Sequence, residues 1–157
     1  MHSLLWSSCG KRLGIRDRFV LGLGKEPLNE IFLRGYNGLA GPFEGMNAVH
    51  QLHDACGIEI STETPIKFTH ADIVPLNIIL SPVPDTKVVA IIDCGQAGWY
   101  PDYWEYCKAQ RVTLDPKDFD EASQRDWSET YLPLIMDPVD LDAHYHPWLE
   151  FVLSKGF

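Results

Sequence analysis

Residues 68–78 read Phe-Thr-His-Ala-Asp-Ile-Val-Pro-Leu-Asn-Ile, and residues 91–98 read Ile-Ile-Asp-Cys-Gly-Gln-Ala-Gly. In both stretches a few polar residues interrupt apolar surroundings: His70, Asp72 and Asn77 in the first, Asp93 in the second. Short β-favouring runs at 65–69, 78–80 and 87–92 flank them, and Pro82, Pro84 and Asp85 punctuate the last two runs. The pattern predicts strand, polar loop, strand, turn, strand, with Asp93 at the end of the third strand. A loop bent at Pro75 points Asp72 and Asn77 into one cleft, and a hairpin brings Asp93 alongside.

Residue types and order point to a chemistry. Phosphoryl transfer requires a carboxylate that orients and deprotonates the attacking hydroxyl, plus hard oxygen ligands that hold magnesium on the nucleotide phosphates. Asp72 suits the first task, and Asn77 with Asp93 the second. A lone His-x-Asp carries little information, whereas His-x-Asp-x-x-x-x-Asn followed by a hairpin ending in Asp matches the layout of a kinase catalytic loop and its metal-binding Asp.

Working outward, Met46, Val49, Leu52 and Cys56 recur at spacings of three and four ahead of Gly57, which predicts a helix over 46–56. The aromatic cluster Trp99, Tyr100, Tyr103, Trp104 and Tyr106 opens a predicted helix running to Val112, and 118–132 reads as another. Pro133, Pro138 and Pro147 are expected to break the remainder into short pieces. Residues 1–45 are rich in Gly and basic residues and read as loop and short turns, with a helical turn near 28–33.

Lys and Arg number 13 against 22 Asp and Glu, for a formal net charge of -9, so neither nucleic acid nor an anionic membrane is an expected partner. Between residues 115 and 142 there are nine acids and two bases, which reads as a solvated acidic face. No apolar run approaches the roughly 20 residues that span a bilayer. Cys9, Cys56, Cys94 and Cys107 have no zinc or disulfide spacing and are expected to be buried free thiols of a reducing, cytoplasmic protein. The opening residues, with three consecutive apolar positions and no preceding base, do not read as a secretory signal.

Other tempting groups have ordinary readings. Gly22-Leu23-Gly24-Lys25 completes neither a dinucleotide nor a Walker spacing and reads as a turn. His50 with His53, and His144 with His146, lack a third ligand in register and read as packing or surface residues. The aromatic run 99–106 reads as core, with Glu105 bonding nearby backbone.

The segments 68–78 and 91–106 resemble the aminoglycoside phosphotransferase and choline kinase type of protein-kinase-like fold, particularly its fungal members, and looser similarity that includes Gly-Pro-Phe-Glu at 41–44 extends over roughly residues 35–155. The resemblance implies an α+β fold: a protein-kinase-like C-terminal lobe, mainly helical, with one or two small β-hairpins, spanning 41–157. It implies transfer of the ATP γ-phosphate to a small-molecule hydroxyl acceptor, with Mg2+, Asp72 as base, Asn77 and Asp93 as metal ligands, and His70 bracing the loop. Two positions depart from the family pattern: Ala71 where Gly is usual, and Cys94 where an aromatic residue is common. Only 69 residues precede His70, so the nucleotide-gripping N-terminal lobe is expected to be largely absent, with 1–40 an irregular remnant or linker. A catalytically silent binding module is the competing expectation.

Overall fold

A computed structural model describes residues 19–36, 38–61 and 63–157. The chain is α+β, with two small antiparallel sheets. Among the described residues six strands are formed: β1 (Phe19–Gly22), β2 (Phe43–Glu44), β3 (Ile66–Thr69), β4 (Ile78–Leu80), β5 (Val88–Ile91) and β6 (Gly98–Pro101). The helices are α1 (Ala48–Cys56), α2 (Trp104–Gln110), α3 (Glu121–Asp126), α4 (Leu132–Ile135) and α5 (His146–Ser154).

The 78–80 and 88–91 runs pair as the expected hairpin, Ile78 opposite Ile91, with a register shift between Ile79 and Leu80. The other sheet is not a second hairpin. Its order is β2-β1-β6-β3, so it joins strands far apart in the chain. Residues 19–22, expected as irregular, lie inside this sheet between β2 and β6, and Val20, Leu28, Phe32 and Leu33 are buried in the main core. The described part of 1–40 is thus packed with the rest of the fold. Cys9 and the rest of 1–18 lie outside the described residues.

The segment 98–101 is also a strand where a helix start was expected. Its aromatic residues alternate, Tyr100 inward and Trp99 half-buried against Phe68, and α2 begins only at Trp104. Pro101 cannot donate a further ladder bond and closes the strand. Gly98 explains why β1 and β6 meet so closely: a Cβ there would stand 2.7 Å from the Leu21 carbonyl oxygen and 3.1 Å from the Gly22 Cα.

Helix α1 starts two residues later than its periodicity suggests and ends at Gly57, whose φ of 70° is the left-handed stop expected of glycine. Helix α3 is capped by Asp120, whose Oδ1 accepts from the Ser123 amide at 2.8 Å. Pro133 does not break the chain there. It sits in the first turn of α4, after a π-helical turn at Trp127–Tyr131 whose wider spacing accommodates a ring without an N–H. Pro147 likewise lies in the first turn of α5.

The main core gathers Leu52, Tyr100, Tyr103, Trp104, Trp148 and Phe151 between the sheet, α1, α2 and α5, and a smaller cluster gathers Ile73, Tyr106, Trp127 and Leu132. The aromatic run is therefore core, as its spacing suggested. Cys56 and Cys107 are buried free thiols, whereas Cys94 is exposed because it opens a turn rather than a strand. Among the described residues no helix is long and apolar enough to cross a membrane.

His53 belongs to this core. Its Nε2 meets the Tyr103 hydroxyl at 2.9 Å, and its pKa falls from 6.5 to about 4, chiefly through burial and then through His50, with Asp54 opposing and His144 adding a little. Because the folded pKa lies below the unfolded one, this stabilisation is complete above pH 6.5 and is lost as pH falls towards 4. The loss amounts to about 3 kcal/mol at pH 4. Urea unfolding at pH 7 and pH 4 is expected to show the wild type losing that much more stability than His53→Gln, which cannot titrate. An equal loss in both would show that His53 is not held neutral.

Candidate functional site

The site is assembled around the backbone of one residue, Ile92. The Ile92 amide donates to the Asn77 carbonyl oxygen at 2.9 Å, and the Ile92 carbonyl accepts from His70 Nε2 at 2.9 Å. A carbonyl only accepts, so the His70 proton resides on Nε2. His70 is buried, and this bond links the loop to the end of the hairpin. Asp93 follows directly, with φ 61° and ψ 56°, a left-handed conformation that Asp tolerates better than most residues.

Pro75–Asn77 is a turn of 3-10 helix closed by the Asn77 amide donating to the Val74 carbonyl at 3.0 Å. It folds the Asn77 side chain back onto Asp72. Asn77 Nδ2 donates to the Asp72 carbonyl oxygen at 2.9 Å and to the Asp72 carboxylate Oδ2 at 3.2 Å. Both partners are acceptors, which fixes the amide with nitrogen inward. Both bonds of this side chain use Nδ2, so Oδ1 keeps its lone pairs for a cation or a water. Asp72 is half-buried and Asp93 exposed. The structure therefore joins His70, Asp72, Asn77 and the base of Asp93 through a single set of hydrogen bonds.

Ala71 links this loop to α2. Its φ of 61° is unusual for a residue with a Cβ, and the residue is fully buried. Glycine would adopt that backbone freely, whereas Ala71 packs a methyl group in the core at the expense of local strain. The conformation is held by Glu105, whose Oε2 accepts from the Ala71 amide at 2.9 Å. Glu105 does bond backbone, but 34 residues away in sequence. Burial raises the Glu105 pKa, while the backbone amides of Ala71, His70 and Ile73 and the charge of His70 pull it back.

The hairpin beside the site presents apolar side chains to solvent: Leu80 is 54% exposed, Val88 60% and Val89 65%. Neither a cleft of about 360 Å³ lined by Lys67, Asp102, Asp140 and His144 among others, nor one of about 270 Å³ lined by Phe32, Lys108 and Arg111 among others, includes His70, Asp72, Asn77 or Asp93. His70 and Asn77 are buried, Asp72 is half-buried and Asp93 is exposed. Among the described residues no three His, Cys, Asp or Glu side chains cluster as metal ligands. His144 stacks on Tyr103 with ring centroids 5.6 Å apart, and His146 pairs with Asp142 at 3.0 Å. Gly22-Leu23-Gly24-Lys25 ends β1 in a turn with Lys25 exposed.

One group escaped the sequence reading. Glu30, fully buried, pairs with Lys108 Nζ at 2.8 Å, and Lys108 also donates to Gln96 Oε1 at 2.7 Å. The signal was present as a single acid in the apolar run Leu28 to Leu33. Comparison with family models, with curated proteins and with solved structures returned no match.

Glu105→Ala should leave the Ala71 amide buried without an acceptor and lower stability by about 1–3 kcal/mol. Glu105→Gln, which keeps an oxygen there, should cost less than half as much. A carboxyl whose folded pKa is raised stabilises most at low pH and loses that share as pH rises through the folded value. Wild-type stability relative to Glu105→Gln is therefore expected to decline with rising pH. Denaturant titrations across pH 4–8 measure this, and a difference that grows with pH would contradict the assignment.

Proposed function

We propose that the chain carries the base and metal-binding half of a small-molecule phosphotransferase site of the aminoglycoside phosphotransferase type, within a protein-kinase-like C-terminal lobe. The observation that carries the reading is the bonding of Asn77: its side-chain nitrogen is committed to Asp72, its side-chain oxygen takes part in neither bond, and its backbone carbonyl is tied to Ile92, next to Asp93. In this reading Asn77 Oδ1 and the Asp93 carboxylate hold Mg2+ on the phosphates of ATP. Magnesium takes hard oxygen ligands and keeps several waters, so two protein oxygens plus phosphate suffice. When bound, the ion neutralises charge on the transferring phosphoryl group.

The chain's own part is positioning and proton transfer. Asp72 lies one loop turn from Asn77 and tied to it, so its free oxygen accepts the proton of an acceptor hydroxyl as that hydroxyl attacks. His70 fixes the loop to the hairpin. The exposed apolar face of β4 and β5 would then be covered by the nucleotide base or by further nucleotide-binding structure. Neither acceptor nor substrate class follows from these residues beyond a small-molecule hydroxyl. The second reading, a silent module that binds without turnover, is favoured by Lys25, which stands exposed in an ordinary turn.

Mn2+ with a non-hydrolysable ATP analogue, followed by paramagnetic broadening of amide signals, tests the metal assignment even for weak binding. Amides near Asn77 and Asp93 should broaden in the wild type and in Asp72→Ala, and stay sharp in Asp93→Ala. Equal behaviour of the two variants would contradict the division of roles. In any chain that transfers phosphate to a hydroxyl acceptor, Asp72→Asn should cost about 100-fold to 10,000-fold in turnover. Binding without transfer would select the silent module.

A further inference from the structure

Asp93 is exposed, and no hydrogen bond to its carboxylate is found among the described residues. A ligand carboxylate that nothing holds directly must be placed by its backbone, and the backbone is gripped on both sides. Ile92 is fixed as described. After Asp93, residues Cys94–Gln96 form a tight turn closed by the Ala97 amide donating to the Cys94 carbonyl at 3.1 Å.

That turn is held from two directions. Gln96 Oε1 accepts from Lys108 Nζ at 2.7 Å and from the Ile31 amide at 3.0 Å, and both partners only donate, so the amide orientation is forced. Asn29 Nδ2 donates to the Gly95 carbonyl at 2.7 Å. Lys108 is itself held: it is buried, paired with Glu30, and Glu30 accepts from Trp104 Nε1 at 3.2 Å through its other oxygen. A desolvated ion pair of this kind contributes little net stability, but it has few alternative geometries, which suits it to a fixed anchor.

We propose that Gln96 is a positioning residue: it transmits the place of the buried Glu30–Lys108 pair to the 94–96 turn and so aims the Asp93 carboxylate. What Asp93 is aimed at rests on the phosphotransferase reading above. The grip on the turn does not, because it is visible in the bonds themselves. Displacing a ligand by even 1 Å is enough to weaken a preorganised site strongly.

Gln96→Ala separates positioning from folding, since it leaves the Glu30–Lys108 pair intact. Its melting temperature should fall by no more than about 8 °C, the cost of the two lost bonds, with the chain still folded at 25 °C. Hydrogen exchange at the Ala97 amide should quicken roughly tenfold through local opening, and the Kd for Mn2+ with a non-hydrolysable ATP analogue should rise about tenfold or more. Gln96→Glu, which preserves the accepting oxygen, should restore both to within about threefold of wild type. Unchanged Ala97 exchange in Gln96→Ala, unchanged affinity, or a fall in melting temperature large enough to explain the weaker binding would each overturn the proposal. If the wild type binds no metal–nucleotide at all, the phosphotransferase reading fails instead, and Ala97 exchange alone decides whether Gln96 holds the turn.

Discussion

The backbone of Ile92 is the joint on which the site depends. Its amide is bonded to Asn77 and its carbonyl to His70, so the polar loop and the hairpin that follows it become one object. Backbone groups buried without partners are costly, and here the partners come from the loop that carries the candidate chemistry. The same bonds that satisfy the strand end therefore set the spacing between Asp72, Asn77 and Asp93.

Around that joint the fold supplies two rigid supports. Glu105 on α2 holds the Ala71 amide and keeps a strained residue in place ahead of Asp72, while Lys108 on the same helix reaches Gln96 beyond Asp93. One turn of helix separates Glu105 from Lys108, so α2 acts on both ends of the site. Tyr103 and Trp104, buried in the main core, anchor that helix. Packing far from the polar residues is in this way converted into the placement of a few oxygen atoms.

Much of this was legible from residue types. The hairpin, the Pro75 bend and the core role of the aromatic run follow from propensity and alternation, which are local properties. What escaped depends on partners distant in sequence: β1 has too short a pattern to announce itself, and its place in the sheet comes from pairing with β6 nearly 80 residues later. Residues 98–101 read as helix because aromatic spacing is ambiguous over four residues, and Pro133 reads as a breaker because a π-helical turn leaves no simple mark. Glu30 and Lys108 each look like ordinary surface charges until the fold brings them together across 78 residues.

The most direct measurement is crystallographic: the chain with Mn2+ and a non-hydrolysable ATP analogue, with manganese located by its anomalous signal. The account predicts one metal peak bonded to Asn77 Oδ1 and to an Asp93 carboxylate oxygen at about 2.0–2.3 Å, with Asn77 Nδ2 still on Asp72. A bound nucleotide whose metal touches neither residue, or a metal peak elsewhere on the chain, would contradict it.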